Sequence, residues 1–258
     1  MIKLCSLSSG SCGNAIYIEA GNTKLLVDAG LSLTALNAGL KAVNAELSEI
    51  TAVLITHEHS DHISGIRTLS RRLNLPIYAN SPTIDAAPSL FANANLRVFP
   101  VGKYFHIGEL DIQAFPTSHD CRAPVGFCFY YKRQKIGVAT DLGTVTTVVL
   151  EALVGFDALL LEANHDEKML ASGRYPAFLK QRIQGEFGHL SNRAAASVLT
   201  RLASSRPQKV LLGHLSAENN SPSMAHDTVS NILEEAGIDS VALSLAPRKQ
   251  LSELVTMG

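Results

Sequence analysis

Short apolar runs separated by turn residues open the chain. Residues 3–8, 15–19 and 24–27 read as strands, and Gly21-Asn22 makes a hairpin turn between the last two. Residues 50–55 predict a further apolar strand, and residues 63–73 carry an apolar face at helical spacing. A short strand at 76–79 follows, and Ser81-Pro82 opens a helix through N-cap and N1 preference. A second run of strands is predicted at 97–99, 103–106, 110–115, 126–131 and 135–139. Strands and helices then alternate: helix 144–153, buried strand 158–161, Ala-rich helix 191–202, strand 209–212, helix 222–235 and strand 240–245. No repeat or low-complexity linker interrupts this order. Strands followed by strand–helix units, twice over, predict an α/β fold of two sheets covered by helices on their outer faces.

Composition narrows the function classes. At 258 residues the chain is long enough for one domain with a substantial core. Hydrophobic content of 46% with 17% charged residues is that of an ordinary soluble protein, and no run approaches the roughly 18 apolar residues a membrane span needs. A net charge of −1 gives no global pull toward nucleic acid, so any polyanion contact must be local. Cys5, Cys12, Cys121 and Cys128 form no C-x-x-C pair, which argues against a zinc knuckle or a redox dithiol. The amino terminus has no basic flank and apolar core of a signal peptide, and a cytoplasmic setting is expected.

Candidate chemistry is concentrated in Thr56-His57-Glu58-His59-Ser60-Asp61-His62. Three imidazoles and the Asp61 carboxylate can converge at a strand-to-helix turn, and nitrogen with carboxylate oxygen is the donor set of zinc or a similar metal. Nine histidines in 258 residues make such crowding by chance improbable. His119, Asp141 and His214 each lie where an apolar strand runs out into a small-residue turn, so all three can point to one edge.

The pattern His-x-His-x-Asp-His after a hydrophobic strand resembles that of the metallo-β-lactamase-fold hydrolases. The resemblance implies a four-layer αββα sandwich, one domain over residues 1–258, with metals at the sheet edge. It implies that His57, His59 and His119 hold one divalent cation, that Asp61, His62 and His214 hold a second, and that Asp141 bridges them. Zn²⁺ leads, and Mn²⁺ or Fe²⁺ suit the same donors. Asp141 argues against antibiotic degradation, since lactam-hydrolysing relatives often place cysteine or serine there. Two cations roughly 3.5–4 Å apart lower the pKa of a shared water toward roughly 7, giving a hydroxide that Asp61 would orient. Asp28 occupies the place of a family aspartate that supports the metal loop; alternatively it caps the segment starting near Ser32. His106 and His226 match no family ligand.

Flanking elements bear on the bond cut. Gly188-His189-Leu190-Ser191-Asn192 is similar to an element that, in nucleic-acid-cleaving relatives, supplies a histidine protonating the leaving oxygen. The alternative is that Ser191 caps a helix and His189 packs against it. In the Ser- and Gly-rich stretch 8–14, Ser9, Ser11 and Asn14 either cradle a phosphate or form only a turn. Ser191, Asn192, Ser216 and Asn219 are further phosphate candidates. Together with Gly213-His214-Leu215-Ser216, these elements resemble the WalJ/YycJ-like group over residues 2–245, whose members are associated with 5′-to-3′ exonuclease action on duplex DNA. DNA is therefore the expected partner. Lys168, Arg174, Lys180 and Arg182, with Tyr175 or Phe178, contact DNA or form a solvated helix; Arg122 is another possible phosphate contact. Rival readings are a small-molecule (cyclic) phosphodiesterase, a glyoxalase II-like thioesterase and a non-catalytic metal-stabilised binding protein.

Overall fold

Period-two alternation with both faces apolar requires a sheet covered on both sides, and the first strands show it. A computed structural model describes residues 1–258. In β2 (Ala15–Ala20), Ile16, Ile18 and Ala20 enter one core while Ala15 and Tyr17 enter another. In β3 (Thr23–Val27), Leu25 and Val27 point one way and Leu26 the other. The first sheet adds β1 (Ile2–Ser8), β4 (Ala52–Leu54), β5 (Pro76–Ala79) and β6 (Asn95–Val98).

The second sheet contains β7 (Tyr104–Ile107), β8 (Leu110–Pro116), β9 (Val125–Tyr131), β10 (Gln134–Ala139), β11 (Ala158–Glu162), β12 (Gln208–Gly213) and β13 (Val241–Leu245). A last strand, β14 (Val255–Met257), returns to the first sheet and pairs antiparallel with β1. The orders are β14-β1-β2-β3-β4-β5-β6 and β13-β12-β11-β10-β9-β8-β7. In each sheet four consecutive strands run parallel, β3 to β6 and β10 to β13.

Three apolar cores separate four layers. The central one joins Ile16, Leu25 and Leu54 of the first sheet to Phe127, Ile136 and Leu160 of the second. The outer two lie beneath helices: Leu36, Leu40, Ile66 and Leu69 over the first sheet, Val149, Ala195, Leu199 and Val229 over the second. This is the expected αββα sandwich. No helix is long and apolar enough to cross a membrane.

Local departures from the sequence reading have physical causes. The helix expected at 63–73 is two helices, Ser60–Ile63 and Ile66–Leu73. They break at Gly65, whose N–H donates to the Ala29 carbonyl at 2.7 Å, and a Cβ there would lie 2.6 Å from that oxygen. Helix Thr147–Leu153 starts later than predicted because Thr146 caps it through Val149 N–H. β14 has only three residues, too few to show a period.

Phe127, in the central core, is fully buried. Phe127→Ala is expected to cost about 3–5 kcal/mol, measured by urea unfolding of the purified protein.

Candidate metal centre

Chain ends of the parallel strands supply the chemistry, as open α/β sheets generally do. Asp28 follows β3 and is fully buried. Its carboxylate accepts from Thr56 N–H at 2.9 Å and lies 2.8 Å from the Thr56 hydroxyl and 2.7 Å from His62 Nδ1. It therefore braces the turn after β4 and fixes the His62 ring. Ser32, not Asp28, caps the following helix through Ala35 N–H.

The Thr56–His62 turn meets residues from the other sheet. Ligand atoms of His57, His59 and His119 lie within 4.8 Å of one another, as do those of Asp61, His62 and His214. Asp141 joins both neighbourhoods, grouped with His57 and His62 and also with His189 and His214. His119 Nδ1 is held by the Gly188 carbonyl at 3.0 Å, which leaves Nε2 for the cluster. His57 Nε2, His214 Nε2 and Asp141 Oδ2 are buried without a hydrogen-bond partner. Orphaned buried atoms of this kind cost about 1–3 kcal/mol each, and here they face a common space with the right donor types. The residues fit two divalent cations.

Glu162 was not singled out by the sequence reading. It ends β11 fully buried, with Oε1 2.7 Å from His189 Nδ1 and 2.9 Å from His214 Nδ1. Its Oε2 accepts from Leu142 and Leu190 N–H. The one signal for it is a carboxylate closing the otherwise apolar run Ala158-Leu159-Leu160-Leu161. Asp120, beside His119 and paired with Arg182, also enters the site unannounced.

Electrostatics follow from this crowding. Burial opposes charge on His62, but Asp28 and Asp141 outweigh it and raise its pKa to about 8. Burial likewise opposes His214, and Asp141 and Glu162 raise it to about 9. Burial works against the charged forms of Asp141 and Glu162, yet the surrounding histidines hold Asp141 well below the usual range and Glu162 at about 2. Burial lowers His57, helped by its histidine neighbours.

A cavity of about 290 Å³ opens over these groups, with His59, Asp61, His119, Asp141, His189 and His214 in its lining. Of the phosphate candidates, Ser11 and Ser216 line it. The other five are buried and outside its lining. Ser9 accepts from His214 N–H at 2.8 Å, and Asn14 Nδ2 contacts Asp61 Oδ2 and His62 Nε2. Ser191 caps helix Asn192–Leu202 and donates to Glu167, Asn192 pairs with Asn220, and Asn219 is buried. Tyr175 lines the cavity, whereas Phe178 is not in its wall; Phe187, 59% exposed, is. Arg182 also lines it, but Asp120 neutralises its charge, and Lys180 Nζ is engaged by the Ala171 carbonyl. His106 and His226 lie outside the cluster, each beside an aspartate.

Two sheets closing on a His/Asp cluster of this composition define a metal-dependent hydrolase of the metallo-β-lactamase fold. The chain belongs to the beta-lactamase superfamily: residues 23–215 match the Beta-lactamase superfamily domain. It is 39% identical over 254 residues to Exodeoxyribonuclease WalJ of Streptococcus pneumoniae, covering 95% of this chain and 94% of that protein. It is 38% identical over 234 residues to Exodeoxyribonuclease YycJ of Bacillus anthracis, covering 90% and 89%. The metallo-beta-lactamase fold protein YhfI from Bacillus subtilis superposes with a TM-score of 0.71 at 17% identity, over 97% of this chain and 99% of that one, a likeness of fold.

Protons on His62 and His214 compete with a cation for the same nitrogens. With folded pKa values of about 8 and about 9, both protons are held near pH 6.5 and lost as pH rises through those values. Apparent Zn²⁺ affinity is expected to rise from about pH 6.5 to about pH 10 and then level off. Chelator competition at stepped pH measures it; a flat profile contradicts it.

Proposed function

We propose that the chain is a dinuclear metal-dependent exodeoxyribonuclease that degrades duplex DNA in the 5′-to-3′ direction, as one domain working in the cytoplasm. Near end-to-end identity to the two exodeoxyribonucleases supports the substrate class. The observation that carries the chemistry is the His189–Glu162 pair at 2.7 Å, set beside the His/Asp cluster in the cavity wall.

Zn²⁺, Mn²⁺ or Fe²⁺ held by His57, His59, His119, Asp61, His62, His214 and Asp141 would supply Lewis acidity and water activation. The protein's own residues do the rest. Asp61, in the cavity lining and steadied through Oδ2 by Asn14 at 3.2 Å, orients the attacking water and accepts its proton. His189 donates a proton to the leaving oxygen, because an alkoxide leaves poorly from phosphorus. Glu162 holds His189 Nδ1, so Nε2 is its free nitrogen, and favours the protonated ring. Burial works against that proton; the Glu162 charge and hydrogen bond outweigh it and raise the His189 pKa.

Purified protein incubated with Zn²⁺ or Mn²⁺ and 5′-labelled duplex DNA is expected to release labelled mononucleotides. Intact duplex beside a hydrolysed cyclic phosphate would instead favour a small-molecule phosphodiesterase. Turnover of neither bis-p-nitrophenyl phosphate nor a thioester would favour a binding protein.

His189→Ala is expected to slow DNA cleavage about 10²–10⁴-fold. It should slow bis-p-nitrophenyl phosphate far less, since that leaving group needs no proton. Steady-state rates on the two substrates test this, and equal losses would remove the proton-donor role.

A further inference from the structure

We infer that Arg248 and Ser11 form a second phosphate subsite at the mouth of the metal cavity, taking a backbone phosphate next to the one cleaved. This rests on the nuclease reading above and deepens it.

The subsite is built by a strap that crosses from the second sheet to the first between β13 and β14. Ala246 N–H donates to the Leu212 carbonyl and Ser252 N–H to the Ser6 carbonyl, both at 2.9 Å. Between these anchors the Ser8 hydroxyl donates to the Arg248 carbonyl at 2.7 Å. Backbone is thus tied before, at and after Arg248, and the side chain leaves from a fixed point.

That side chain lies across Gly10. A Cβ at position 10 would come within 3.3 Å of Arg248 Nε and 3.5 Å of its Cγ, so a side chain there would crowd the arginine. Arg248 Nη2 reaches Ser11 Oγ at 3.3 Å and Cys12 Sγ at 3.0 Å. Ser11 in turn lines the metal cavity, as does Leu215, whose carbonyl lies 3.7 Å from the same Cβ position. The guanidinium therefore stands one side chain away from the cavity wall.

Its charge is uncompensated. The polar contacts of the Arg248 side chain are a hydroxyl and a thiol, with no carboxylate, and its Nε is buried without a partner. Arg182 in the cavity wall is different, since Asp120 already neutralises it. A guanidinium presents fixed donors that match a phosphate, and Ser11, accepting from Arg248, keeps its own proton to donate to the same anion. A polynucleotide brings a second phosphate beside the scissile one whatever its bases, whereas a small diester brings none.

The test uses the full chain and two substrates, duplex DNA and bis-p-nitrophenyl phosphate, across a salt series. Arg248→Ala is expected to raise KM for DNA about tenfold and to flatten the slope of log affinity against log salt by about one. Its loss of kcat/KM on DNA should exceed that on the small diester by at least about fivefold. Ser11→Ala should shift DNA KM in the same direction by less, and Arg248→Lys should restore part of the salt slope. If Arg248→Ala unfolds, Arg248→Gln, which keeps polarity without charge, carries the same expectation. Equal losses on both substrates, or an unchanged salt slope, would make Arg248 a brace for the loop and overturn the subsite. Wild-type protein that leaves DNA intact fails the nuclease reading itself; wild-type cleavage with an unaffected Arg248→Ala variant fails the subsite alone.

Discussion

Burying carboxylates is costly, and this structure buries Asp28, Asp141 and Glu162 within one small volume. Removing such a group from water carries a penalty of several kcal/mol per ion, so each must find positive charge or N–H donors. Asp28 has Thr56 and His62, Glu162 has His189, His214 and two backbone N–H groups, and Asp141 sits among four histidines. None of these partners is adjacent in sequence to the acid it serves, Thr56 and His62 being 28 and 34 positions from Asp28. The sandwich is what brings them together. Strand ends set in three apolar cores fix the carboxylates, and His62, His189 and His214 are then placed by hydrogen bonds to them.

Neither sheet makes the site alone. The first supplies Asp28 and the Thr56–His62 turn; the second supplies His119, Asp141, Glu162 and His214. Stitches run between them: His214 N–H to the Ser9 hydroxyl at 2.8 Å, Val125 N–H to the Thr56 carbonyl at 3.1 Å, and Ser8 to the strap at Arg248. The loop at 8–14 is thereby less a free phosphate cradle than a joint. Asn14 N–H donates to the Asp61 carbonyl at 2.8 Å, and Asn14 accepts from Gly30 N–H at 2.9 Å. Leaving Ser11 at the cavity while Ser9 and Asn14 turn inward follows from this double duty.

What could be read from the sequence tracks how local the cause is. The Thr56–His62 cluster was legible because its donors are contiguous and follow an apolar strand. Strands with period two and helices with proline or hydroxyl caps were legible for the same reason. Glu162 was not, since a single acid after four apolar residues looks like any strand reaching solvent. The break at Gly65 depends on Ala29, far away in sequence, and local spacing cannot show it. Arg248 lies in an irregular stretch with no period at all, and only the crossing of the strap reveals its place over Gly10.

Asp28, Asp141 and His214 share one further trait: each has a left-handed backbone, with φ of 63°, 57° and 55°. For residues with a side chain this conformation costs roughly 1–2 kcal/mol, and glycine would adopt it freely. All three are also buried polar groups. Selection for thermal robustness alone would erase them, so the chain's melting temperature and its chemistry pull these positions in opposite directions.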